Sequence, residues 1–104
     1  MQKSFDKLNF LTAGMPLRTG KASYPKAFEI LKDMELDGME LEFVHGVRMS
    51  EDSRGFVKEK SNNFIITAHG PFYINLNSKE EEKVEASVQR IIDTASVASQ
   101  AGAF

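Results

Sequence analysis

The chain has 104 residues, 41% of them hydrophobic and 27% charged, with a formal net charge of −2. That length allows one small domain with one modest core, and the composition excludes disorder and low complexity. The absence of cysteine excludes disulfides, thiolate metal sites and cysteine nucleophiles. Mild acidity with scattered Lys and Arg argues against a stand-alone nucleic-acid module, which carries a basic stripe. No apolar run approaches the roughly 20 residues that span a bilayer, and residues 1–7 lack a signal-peptide core. The expected setting is the cytoplasm, without membrane contact.

In chain order, Leu8 to Ala13 is a short apolar run closed by Gly14 and Pro16, which predicts a buried strand over 8–13. Residues 15–22 read as a loop containing Arg18 and Lys21. Ser23 is a plausible N-cap with Pro25 in the first turn. Tyr24, Ala27, Phe28, Leu31 and Met34 then recur at helical spacing, predicting a helix over 24–35. Asp37-Gly38 marks a turn. Met39-Glu40-Leu41-Glu42-Phe43-Val44 alternates with the strand period, predicting a strand over 39–44. Ser50-Glu51-Asp52 suits a helix start because an N-cap hydroxyl precedes acids that favour the dipole. The helix over 51–60 is weak, interrupted by Gly55.

The third unit is the clearest. Phe64 to Ala68 is a β-branched run, giving a strand over 64–69. Ser78 and Glu81 match a capping box. Val84, Val88, Ile91, Ile92, Ala95 and Ala98 form an apolar stripe along a helix over 79–101, with Gly102 as the C′ glycine. Strands alternating with helices imply an α/β domain with a parallel sheet. Three such units leave one sheet face bare, whereas parallel sheets are buried on both. A truncated fold is therefore expected.

Three segments carry a family resemblance: Thr12-Ala13-Gly14-Met15-Pro16, Asp37-Gly38-Met39-Glu40-Leu41-Glu42-Phe43, and His69-Gly70-Pro71-Phe72-Tyr73-Ile74-Asn75-Leu76. In order and spacing they resemble the first three strand ends of the endonuclease IV family. These are apurinic/apyrimidinic endonucleases within the xylose-isomerase-like TIM barrels. The first two segments are equally similar to sugar isomerases of that superfamily. The resemblance implies that residues 1–104 are the first three βα units of a (β/α)8 barrel, incomplete here. It also implies a zinc-dependent hydrolase that cuts the phosphodiester 5′ to abasic sites in DNA. His69 matches a family zinc ligand, whereas the remaining ligands come from strands four to eight. No complete catalytic set is therefore expected within this chain, which should be inactive alone.

Strand parity supports His69 independently, since Ile65, Thr67 and His69 share one face and His69 sits at the C-terminal rim, where barrel enzymes keep their chemistry. A lone histidine is more often structural, and the flanking motif tips the balance. Glu40 and Glu42 share a face of strand two. Glu42, nearer the rim, is the better functional lumen acid, with pairing to basic residues as the plain alternative. Arg48, in the loop 45–49, and Arg18 and Lys21 are candidate phosphate contacts, although solvated loop charges are commoner. Phe72 and Tyr73 are candidates for stacking on a base or sugar, or for packing the loop down. Glu80, Glu81 and Glu82 are read as a solvated helix start. The alternatives to a nuclease are a sugar isomerase or epimerase with one divalent metal, and a non-catalytic fragment that persists by self-association.

Overall fold

The computed structural model describes residues 4–20 and 23–104; Lys21 lies outside them. The strands are β1 (Leu11–Ala13), β2 (Gly38–Glu42) and β3 (Ile65–His69), and the helices α1 (Tyr24–Asp33), α2 (Glu51–Lys60) and α3 (Glu81–Gln100), with a 3-10 turn at Leu17–Thr19. All strands are parallel in the order β1-β2-β3. This is the α/β class expected, the first βα units of a TIM barrel with the sheet left open.

Alternation along β2 and β3 decides which face the helices cover. Met39, Leu41, Phe43, Phe64 and Ile66 point into one core with Phe28 and Leu31 of α1 and Val57 of α2. Phe28 holds the helical layer to β3 through tilted ring contact with Phe64, at 5.2 Å between centroids. Each of these large apolar side chains contributes about 1.5–3 kcal/mol when fully buried. Gly38 is required where β2 meets β3, because a Cβ there would collide with the Ile65 carbonyl.

Several local expectations change. β1 is three residues long rather than six, because its ladder begins at Leu11↔Gly38. Before that point, Phe10 N–H donates to the Asp37 carboxylate at 2.8 Å instead of to a strand. β2 ends at Glu42, although Phe43 N–H still donates to His69 O at 2.9 Å. α2 forms despite Gly55, started by Ser50, whose side chain accepts from Ser53 N–H. The capping box does not form at α3. Glu80 is its N-cap, with no side-chain cap, and the Ser78 hydroxyl accepts from Glu80 N–H, tightening the loop instead.

The stripe on α3 is also displaced. Val88, Ile91 and Ile92 are exposed, while Ser87 and Ala98 are buried. Ser87 Oγ accepts Asn75 N–H at 2.9 Å, which fixes the loop after β3 against the helix. α3 ends as expected at Gly102, with φ 82°. Ala103 N–H returns to Ala98 O, and Phe104 N–H then donates to Ile66 O at 3.2 Å, on the outer edge of β3. Among the described residues, no helix is long and apolar enough to cross a membrane.

Candidate metal centre

The sheet face away from the helices carries the chemistry. The β2–β3 register sets Glu40 opposite Thr67 and Glu42 opposite His69. In-register partners on adjacent strands project to the same side, so the backbone brings both acids and the imidazole together. One ligand atom from each of Glu40, Glu42 and His69 lies within 4.8 Å of the others. His69 Nδ1 is 3.7 Å from Glu40 Oε1, and Thr67 Oγ1 donates to Glu40 Oε2 at 3.5 Å.

Glu42 sits under Gly14, the residue after β1. Gly14 has φ 78°, and a Cβ there would lie 3.1 Å from Glu42 Cγ. Partial desolvation, followed by the hydrogen bond and like charge from Glu40, raises the Glu42 pKa, while His69 opposes the rise. Two adjacent carboxylates and an imidazole form a donor set that suits a divalent cation. Ligand atoms on one zinc lie about 3–4 Å apart, so modest side-chain rotation brings these three into range. With half its side chain exposed, His69 is accessible to further ligands.

The other sequence candidates lie around this rim. Phe72 is 70% exposed. His45 meets it edge-on at 5.9 Å, and Phe72 N–H donates to Val44 O at 3.3 Å. Tyr73 turns to the helical layer, where the Arg90 guanidinium stacks over its ring at 4.6 Å. Arg48 is exposed, with its Nε close to Gly46. Arg18 is exposed in the 3-10 turn. The structure thus brings His69, Glu40 and Glu42 into one cluster, and it leaves Tyr73 packed on α3. Sequence reasoning undervalued Glu40. Its alternation with Glu42 was visible, but its contact with His69 depends on the strand register. His45 as the aromatic partner of Phe72 carried no sequence signal.

An apolar hollow of about 410 Å3 lies between the outer edge of β3 and α3, lined by Ala68, Ile74, Ile91, Ala98 and Phe104 among others. It contains no titratable side chain and stands apart from the carboxylate–histidine cluster.

Comparison with known proteins gives the chain a family. Over 95 residues it is 48% identical to a protein of Methanocaldococcus jannaschii described only as uncharacterized. The alignment covers 91% of this chain and 34% of that protein, so the chain spans about a third of its relative. No solved structure matches significantly. Residues 16–104 match the family described as xylose isomerase-like TIM barrel, and with three parallel βα units and a rim cluster at the C-terminal strand ends, the chain belongs to that family.

Proposed function

We propose that this chain supplies the first three βα units of a metal-dependent enzyme of the endonuclease IV type. In the complete barrel, His69 is a zinc ligand, and the reaction is hydrolysis of the phosphodiester 5′ to an abasic site in DNA, in the cytoplasm. The observation that carries this reading is His69 at the C-terminal end of β3, beside two carboxylates on the open sheet face. The segment that follows, His69 to Leu76, resembles the family's third strand end. When bound, zinc supplies a Lewis acid that polarises a phosphoryl oxygen or activates water. The chain's own residues contribute the rim: His69 holds the cation beside the two acids, exposed Arg48 faces phosphate, and Phe72 offers a ring for a base or deoxyribose.

The groups on β2 and β3 do not by themselves make a zinc cluster. The 104 residues alone should not cleave an abasic-site oligonucleotide, whereas a protein with the whole barrel should. There, His69→Ala should lower zinc content and cleavage together, and Glu80→Ala neither. Equal zinc in wild type and His69→Ala would remove His69 from the metal site.

A second reading, a sugar isomerase or epimerase, draws on the carboxylate pair. Glu40 and Glu42 at the rim and a net charge of −2 suit a neutral polyol better than a polyanion. Metal-dependent turnover of aldoses, with no cut in abasic DNA, would favour it.

A further inference from the structure

His69 and the two carboxylates are not equivalent in their contacts. Besides its hydrogen bond with Glu42, Glu40 reaches two residues of β3: its Oε1 faces His69 Nδ1 at 3.7 Å, and its Oε2 receives the Thr67 hydroxyl at 3.5 Å. Thr67 is its register partner on β3, so Glu40 is steered toward the imidazole from the far side. Glu42 has no such hydroxyl contact. It pairs in register with His69 itself and ends β2 at the rim, in the space that Gly14 leaves by lacking a Cβ.

A carboxylate beside Nδ1 holds the proton on that nitrogen and turns the Nε2 lone pair outward. This outer carboxylate–histidine arrangement fixes both the tautomer and the ring orientation of a metal-binding imidazole. The 3.7 Å separation is wider than a hydrogen bond, so the pairing needs a small side-chain rotation that brings Oε1 to the ring N–H. We propose that Glu40 is a positioning residue that holds His69 with Nε2 free for a divalent cation, and that Glu42 is the second metal ligand this chain provides. The proposal rests on His69 being a ligand. The plain alternative makes Glu40 and Glu42 solvated neighbours. That leaves unexplained why the register sets two like charges and an imidazole within 4.8 Å of one another.

Zinc titration with metal analysis of the protein with the whole barrel and its Glu40→Gln, Glu42→Gln and His69→Ala variants tests this division. Glu42→Gln and His69→Ala should each abolish or sharply reduce bound zinc. Glu40→Gln should keep the stoichiometry and weaken affinity about 10–100-fold. Nitrogen-detected NMR of the His69 ring in metal-free protein gives a readout independent of zinc, in which Glu40→Gln should move the ring away from the Nδ1–H form. Loss of zinc in Glu40→Gln as complete as in His69→Ala would make Glu40 a ligand and overturn its positioning role. Wild-type binding by Glu42→Gln would overturn that of Glu42. If the wild type holds no zinc, the metal reading and the Glu42 assignment fall together, while an unchanged ring spectrum in Glu40→Gln separately refutes the Glu40–His69 coupling.

Discussion

Asp37 gathers the connections on either side of β2. Its carboxylate accepts Phe10 N–H at 2.8 Å and meets Lys7 Nζ at 3.4 Å, while its backbone N–H donates to Phe10 O and its carbonyl receives Ile65 N–H. The Phe10 hydrogen bond is the main reason the Asp37 pKa is lowered from 3.8. Burial opposes the shift, and Lys7 adds to it. A carboxylate with a depressed folded pKa stabilises the fold above its unfolded value, and that contribution is lost as pH falls through the folded value. Asp37→Asn should therefore melt below wild type by a constant margin from pH 7 to 5, and the margin should shrink below about pH 4. A margin unchanged down to pH 2 would assign the loss to something other than ionisation. Asp37-Gly38 was legible in the sequence as a turn. The grip on Phe10 was not, because it depends on how β1 registers against β2. The same limit applies at the rim, where the parity of His69 was readable but its contact with Glu40 was not.

The ends of α1 and α3 close with the same pattern of hydrogen bonds from different residues. After α1, Leu36 N–H returns to Leu31 O and Glu35 N–H to Lys32 O, with Glu35 at φ 56°. After α3, Ala103 N–H returns to Ala98 O and Gly102 N–H to Ser99 O, with Gly102 at φ 82°. The left-handed backbone costs an L-residue about 1–2 kcal/mol relative to glycine. Glu35→Gly should accordingly stabilise the fold by up to about 1 kcal/mol, part of the gain being lost to the freer unfolded chain. Gly102→Ala should destabilise it by more than 1 kcal/mol, since a Cβ there would also press on Ser61. Denaturant midpoints for the two variants should move in opposite directions, and a shared direction would contradict the argument. Gly102 was recognisable from its residue type. Glu35 was not, because nothing in a glutamate marks a left-handed position. The start of α3 misled for a related reason. Ser78 and Glu81 have capping-box spacing, yet the loop uses the Ser78 hydroxyl for Glu80 N–H. Hydropathy likewise ranks Ile91 and Ile92 inward, but both are exposed, whereas Ser87 is buried and accepts Asn75 N–H.

Across the whole molecule, one flank is apolar and uncovered. Ile91, Ile92 and Phe104 are 41%, 53% and 84% exposed, beside the hollow along the outer edge of β3. Along that edge, backbone groups not taken up by the Phe104–Ile66 bond can pair with another chain. The 104 residues alone should therefore self-associate into dimers or larger species at micromolar concentration, and Ile91→Glu with Ile92→Lys should reduce this. Sedimentation equilibrium measures it directly. A monodisperse monomer with cooperative unfolding would show that the flank needs no cover.

The strand register has a consequence for synthesis. Leu11 pairs with Gly38 and Gly38 with Ile65, the same 27-residue step each time. Every strand joins the one completed just before it, so none waits for a distant part of the chain. At roughly 5–20 residues per second, a ribosome delivers each new strand on the order of a few seconds after the last. The sheet can then grow by one strand at a time from the N-terminus. The loop-closure entropy of each addition is nearly the same, because it depends on the separation between strands and not on how many are already in place.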